Sequence, residues 1–280
     1  MKSVPGQKKR LSQVFLKDQN NLRRIVSAAE LTPKDHVVEI GCGEGYLSLM
    51  LAPECGKLTI LEIDPYFLAM TQVRLNDYSN TDYILGDALK STFAPIQSNT
   101  FKVVANIPYH ISAPLIKMMI DDRERVSLGI LLVQKEFALK LIAKPNTSLY
   151  TSLSVYTRFY FDIELAFEVS RHCFRPVPKV DSAVLKLTPK SQLLILEEDR
   201  PLFFEMVRTS FWSRRKTFLN CLLNSPYVHF EKEGKDTPFF QKNARIRGEV
   251  LSLEDFAAVF LEIKPYLSLK DEKKKHKEKT

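Results

Sequence analysis

The segment Val103-Val104-Ala105-Asn106-Ile107-Pro108-Tyr109 joins an apolar, β-branched run to an amide, a ring-locked proline and a phenol. Pro108 fixes its own φ and biases Ile107 toward extended backbone, so the carbonyls around Asn106 and Ile107 stay out of any helix. An exocyclic amine on a nucleobase is a poor nucleophile because its lone pair is delocalised into the ring. Two fixed acceptors, the Asn106 side-chain oxygen and a nearby backbone carbonyl, can bind both N–H groups and favour a pyramidal nitrogen. Tyr109 offers a planar face for the base. The competing reading is a strand followed by a proline turn.

A second constellation lies upstream. His36-Val37-Val38-Glu39-Ile40 reads as a strand, Gly41-Cys42-Gly43-Glu44-Gly45 as a glycine turn and Tyr46 to Leu51 as a helix. Glycines there let backbone approach a nucleotide-like ligand closely. The third glycine falls one position earlier than in a dinucleotide fingerprint, which points to the G-x-G-x-G turn of S-adenosylmethionine enzymes. A tight turn without a ligand is the alternative. Glu62 ends the next strand about twenty residues on, where a carboxylate can hold ribose hydroxyls, and Asp64 caps a helix before Pro65. Gly86-Asp87-Ala88 closes a third strand, where Asp87 can meet an adenine amino group.

These residues need a sheet to align them, and the spacing supplies one. Strands are expected at 36–40, 57–64, 83–88, 101–108, 126–133, 161–169 and 180–187, with helices between most of them. Alternation of this kind gives a doubly wound α/β domain, in which ligands bind at the carboxyl ends of the strands. Ser112 is the expected N-cap of the helix running to Ile120. Phe174, within Cys173-Phe174-Arg175-Pro176-Val177-Pro178-Lys179, is either a second stacking surface for a base or a core aromatic.

Composition narrows the setting. The 280 residues carry a net charge of +8, which favours an anionic partner such as nucleic acid. Cys42, Cys55, Cys173 and Cys221 show no metal-ligand spacing and read as reduced thiols in a cytoplasmic protein, with no metal expected. Met1 to Arg10 is basic without an apolar core, which argues against a secretory signal. The apolar run at 130–133 is too short to cross a bilayer. Lys8-Lys9-Arg10 is either a phosphate-contacting arm or a solvated terminus.

From Lys190 the character changes to helices bearing Arg208, Arg214, Arg215 and Lys216, then Arg245 and Arg247, then Leu253 to Tyr266 with Ser252 as N-cap. The expected division is residues 1–190 as the doubly wound α/β domain, 191–268 as a small helical domain whose basic surface either meets an anionic partner or is solvated, and 269–280 as a basic, disordered tail.

Taken in order, Gln13-Val14-Phe15-Leu16, Glu39 to Gly45, Glu62, Gly86-Asp87-Ala88, Asn106-Ile107-Pro108-Tyr109, Phe174 to Ser182 and Arg214-Arg215-Lys216 resemble the KsgA family. Its members are small-subunit rRNA adenine N6,N6-dimethyltransferases. The resemblance implies a Rossmann-like S-adenosylmethionine-dependent methyltransferase fold with a seven-stranded sheet and a small all-helical C-terminal domain. It implies dimethylation of two adjacent adenosines near the 3′ end of small-subunit rRNA, within a pre-small-subunit particle, by a monomer with no membrane partner. Carried over, Val14, Leu16, Gly41, Gly43, Gly45, Glu62, Asp87 and Asn106 line the cofactor. Asn106, Pro108 and Tyr109 hold the target base, and Phe174 stacks on its other face. Arg214, Arg215, Lys216, Arg245 and Arg247 contact RNA. Val14 departs from the family's Asn or His, and Cys42 from its usual Pro. The alternatives are an Erm-type large-subunit rRNA methyltransferase and a non-catalytic ribosome assembly factor of the same fold.

Overall fold

The computed structural model describes residues 14–107 and 111–270 and divides the chain into two compact units. The first comprises residues 1–138 and 161–189, and the second residues 139–160 and 190–280.

The first unit contains β1 (Phe15–Leu16), α1 (Gln19–Ala28), β2 (His36–Ile40), α2 (Tyr46–Leu51), β3 (Lys57–Glu62), α3 (Pro65–Arg74) and β4 (Thr81–Leu85). It continues through α4 (Ala88–Ser91), β5 (Phe101–Asn106), α5 (Ser112–Asp121) and β6 (Val126–Gln134) into the start of α6 (Lys135–Leu141), within which the division falls. After α7 (Ser152–Tyr160), which belongs to the second unit, come β7 (Phe161–Val169), β8 (Phe174–Arg175) and β9 (Ser182–Pro189). Seven strands form one sheet in the order β4-β3-β2-β5-β6-β9-β7. The strands from β4 to β6 are parallel, and β9 pairs antiparallel with both β6 and β7.

Parallel central strands are covered on both faces and therefore read as unbroken apolar runs. β2 is buried at all five positions, and Val103, Val104 and Ala105 of β5 are buried. Order reverses between β2, which leads outward to β3 and β4, and β5, which leads outward to β6. Ile40 sits opposite Ala105 across that boundary, so Gly41 and Asn106 follow side by side at the carboxyl ends.

Local signals behave as their chemistry requires. Asp64 caps α3 through the Tyr66 amide at 2.9 Å, with Pro65 at the first helical position. Ser112 does not cap α5. It is the first helical residue, Ile111 precedes it, and its buried hydroxyl has no hydrogen bond among the described residues.

The second unit adds α8 (Arg200–Phe211), α9 (Phe218–Leu223), β10 (Val228–Phe230), α10 (Pro238–Lys242), α11 (Leu253–Ile263) and β11 (Leu267–Leu269). It is mainly helical but not all-helical, because β10 and β11 pair antiparallel. The segment 139–160, expected in the first domain, belongs here for an aromatic reason. Phe159 stacks on Phe203 and Phe204 with centroids 5.5 and 5.1 Å apart, Tyr156 on Phe204 at 4.7 Å and Tyr150 on Phe211 at 5.6 Å. Rings in such tilted or edge contacts add to the area they bury. The Tyr150 hydroxyl donates to Leu251 O at 2.9 Å. Ser252 and Asp255 form a capping box on α11. Among the described residues no helix is long and apolar enough to cross a membrane.

Candidate active site

The strand order sets the site. Along the carboxyl edge β4-β3-β2-β5, the residues at or just past each strand end are Asp87, Glu62, the Gly41–Gly45 turn and Asn106. Adjacent strands lie about 4.8 Å apart, so this row spans roughly 14 Å. The Gly86 amide donates to Glu62 O at 2.9 Å, and the Gly41 amide to Leu61 O at 2.9 Å, which ties the strand ends together.

The turn itself is left-handed at three points, with φ of +77° at Gly41, +52° at Gly43 and +78° at Gly45. Residues with a Cβ are strained there. Space imposes the same choice. A Cβ on Gly43 would lie 2.8 Å from the Phe15 ring, and one on Gly45 2.8 Å from Thr71 Oγ1. The Thr71 hydroxyl donates to Cys42 Sγ at 3.3 Å, so α3 braces the turn from below.

Glu62 is 5% exposed, and each carboxylate oxygen accepts one backbone amide, which leaves acceptor capacity over. Oε1 accepts from the Asp64 amide at 2.9 Å and Oε2 from the Gly43 amide at 3.3 Å. Asp87 caps α4, accepting from the Leu89 amide at 3.0 Å. A cleft beside this row is lined by Gly41 and Asn106, with Phe15, Leu16, Glu39 and Tyr46 among its other walls. Leu16 is buried, and Val14 is half-buried against the core, so the position where Asn or His was expected is apolar. Pro108 and Tyr109 lie outside the described residues, as do Lys8-Lys9-Arg10.

Phe174 is buried. It is 2% exposed, pairs with Leu16 across β1 and β8, and sits in the same core cluster as Leu16, Val169 and Val184. An apolar ring among apolar neighbours gains more from burial than from solvent contact. Of the two readings open for this residue, the structure has the core aromatic.

Glu39 was not singled out from the sequence and is the most unusual group here. It is fully buried in β2, both carboxylate oxygens lack a hydrogen bond among the described residues, and it lines the cleft. Burial pushes its carboxyl up to about 8. The Ser48 hydroxyl opposes that shift without reaching hydrogen-bond geometry, and the charge of Glu62 adds to it. An acid inside a Val/Ile strand directly before a glycine turn is a signal the sequence does carry. Phe15 and Thr71 carried no comparable signal, since their role depends on which chain segment lies over the turn.

The basic residues of the second unit converge. The turn between α8 and α9 holds Arg214, Arg215 and Lys216, and the Phe218 amide donates to Ile246 O at 2.8 Å, bringing Arg245 and Arg247 alongside. Arg214 is engaged internally. It binds Glu249 Oε2 at 2.6 Å and the carbonyls of Ser148 and Thr147 at 2.7 and 3.3 Å. Arg215 and Arg245 are exposed, and their side chains make no ion pair or hydrogen bond among the described residues. Among those residues no group of three His, Cys, Asp or Glu side chains is placed to hold a metal ion.

Residues 6–264 match the family model described as "Ribosomal RNA adenine dimethylase". The chain belongs to the ribosomal RNA adenine dimethylase family. A curated relative in this family, the ribosomal RNA small subunit methyltransferase A of Geobacillus sp. strain WCH70, is 39% identical over 261 residues, covering 90% of each chain. The crystal structure of a dimethyladenosine transferase from Plasmodium falciparum superposes with a TM-score of 0.74 at 30% identity, covering 90% of this chain and 98% of that one. The crystal structure of the 23S rRNA methyltransferase ErmE gives a TM-score of 0.70 at 26% identity, covering 89% and 99%. Family members thus span both units described above.

Proposed function

We propose that this protein transfers methyl groups from S-adenosylmethionine to N6 of two adjacent adenosines near the 3′ end of small-subunit rRNA, giving N6,N6-dimethyladenosine during subunit maturation. The observation that carries the reading is that Asn106 and Gly41, each following the Ile40–Ala105 pair at the reversal point of the sheet, line one cleft. Membership of the ribosomal RNA adenine dimethylase family supports it.

The donor set suits S-adenosylmethionine. A glycine turn with no room for a Cβ at Gly43 or Gly45 and a buried acid without a hydrogen bond among the described residues stand in one row with two further carboxylates, over a length that matches an extended nucleoside-amino acid. Asp87 would meet the adenine, Glu62 the ribose, and Val14, Leu16, Gly41, Gly43 and Gly45 the turn-side wall. When bound, S-adenosylmethionine supplies an electrophilic methyl group. The protein's residues orient the nucleophile. Asn106 Oδ1 and a carbonyl beside it accept from the adenine amine, and Tyr109 stacks on the base with Pro108 holding the backbone. With Phe174 in the core, stacking falls to Tyr109.

Turning the adenosine out of its RNA context costs a few kcal/mol, and stacking returns roughly 1–3 kcal/mol. Rate then comes from position and fixed dipoles. The amine becomes acidic only as its new bond forms, so its proton can leave to water without a dedicated base. Arg215, Lys216, Arg245 and Arg247 would take RNA phosphates, and the enzyme would act as a monomer on a pre-small-subunit particle.

The test is transfer of labelled methyl to small ribosomal subunits lacking the modification, with mature small subunits and large subunits as controls. Label confined to the unmodified small subunits, recovered as N6,N6-dimethyladenosine, is the expected result. Label in large-subunit RNA would replace this reading with an Erm-type one, and tight particle binding without label would indicate an assembly factor.

A further inference from the structure

The second unit carries a half-exposed tryptophan beside its basic turn. Trp212 is the single tryptophan of the chain and is 44% exposed. It is the C-cap of α8, with φ −61° and ψ −33°, and its amide donates to Thr209 O at 3.1 Å, so its backbone is helical and fixed. The turn that follows is tied on several sides. The Lys216 amide donates to Ser213 O at 3.1 Å, the Cys221 thiol reaches the same carbonyl at 3.6 Å, and Arg214 holds Glu249 and Ser148. The indole is therefore presented by a rigid support.

Its neighbours indicate the ligand. Lys216 Nζ lies 5.3 Å from the ring centroid, a cation over one face. Arg215 and Lys216 follow Trp212 within four residues, and Arg245 and Arg247 sit on the loop fastened to the same turn. Tryptophan and arginine also mark protein interfaces, but a ring flanked by Arg215, Lys216, Arg245 and Arg247 is complemented by an anionic ligand. It matches single-stranded nucleic acid, whose backbone is neutralised by cations while its bases stack on aromatic faces.

We infer that Trp212 is a stacking platform for an unpaired nucleobase of the RNA substrate, flanking phosphates being held by Arg215, Lys216, Arg245 and Arg247. The inference rests on the rRNA reading and adds to it a base contact outside the catalytic cleft. Such a contact selects for a loop or bulge, because a base inside a duplex has no free face to offer. Stacking tolerates any base, so the platform reads strandedness rather than sequence.

The sole tryptophan reports on itself. The full-length protein is titrated with an unlabelled RNA hairpin whose loop holds adjacent unpaired adenosines, and with a fully paired RNA of equal length, while indole emission is followed. Affinity is measured separately by anisotropy of end-labelled copies. The expected result is quenching of emission by the hairpin and little by the duplex. Trp212→Ala and Trp212→Leu should each weaken hairpin binding about tenfold, Trp212→Phe should recover most of it, and the salt dependence should stay unchanged in all three because no charge is lost. Trp212→Leu keeps apolar bulk and removes the π face, so its loss separates stacking from simple burial. Hairpin binding with unquenched emission and unaltered affinity in Trp212→Ala would overturn the platform and leave the rRNA reading intact. No methyl transfer to any subunit, together with no RNA binding by anisotropy, would overturn both.

Discussion

The Phe15 ring occupies the volume that a side chain at Gly43 would need: a Cβ built there falls 2.8 and 2.9 Å from two ring carbons. The glycine turn of β2 and the strand β1 are thus mutually dependent, and Phe15 in turn packs on Phe67 of α3 at 5.3 Å. Gly43→Ala meets both this ring and a φ of +52°. It should cost about 1–2 kcal/mol and lower S-adenosylmethionine affinity at least tenfold. Calorimetric titration and thermal denaturation check both numbers, and Phe15→Ala in the Gly43→Ala background should restore part of the stability.

Asn106→Ala removes an acceptor at the end of β5 without touching the sheet register. Transfer should fall by a hundredfold or more, because positioning of the amine is lost, whereas cofactor binding should be weakened but detectable. Unchanged turnover would remove Asn106 from the chemistry.

Glu39 makes stability depend on pH. Its carboxyl, ordinarily near 4.5, titrates at about 8 in the folded state. Between those values the unfolded chain is ionised while the folded chain keeps its proton. Folding therefore takes up a proton, and stability falls as pH rises across that window. The cumulative loss is a few kcal/mol in order of magnitude. Melting temperature measured from pH 5 to 8 should decline in the wild type, and this component should vanish in Glu39→Gln.

Arg214 and Arg215 are adjacent but should behave differently. Arg214→Ala breaks contacts to Glu249, Ser148 and Thr147. Since the side chain is 47% exposed, the loss should be about 1 kcal/mol, read as a lower melting temperature. Arg215→Ala should leave the melt unchanged and reduce the slope of log affinity against log salt by about one.

Glu62→Ala leaves the Asp64 and Gly43 amides without the carboxylate they share. Cofactor affinity should drop by one to two orders of magnitude at nearly unchanged saturated turnover. A normal affinity by calorimetry would refute its place on the ribose.

Much of the sheet was legible because parallel, doubly covered strands must be written as apolar runs. β2 was found with its observed bounds as such a run, and the antiparallel edge strand β7 by its alternation; the chemistry-bearing residues Gly41, Glu62, Asp87 and Asn106 lie at strand ends, where periodicity stops and the residue type changes. The antiparallel β10 and β11 escaped, being three residues each and far apart in the chain. Ser112 misled because a serine before an apolar run is a capping signal only if its own φ and ψ are non-helical, which composition does not reveal.

What the sequence determined by itself is the order of elements, the glycine turn with its acids, and the family they spell out, since these depend on short-range spacing. The tertiary structure alone decided which distant segments meet. It placed Phe174 in the core opposite Leu16, drew residues 139–160 into the second unit through Phe159 and Tyr150, committed Arg214 to Glu249, and left Glu39 buried without a hydrogen bond among the described residues. The reason is the same in each case. Burial and pairing are properties of a residue's neighbours in space, and the chain's local pattern says which side chains seek partners but not which partners reach them.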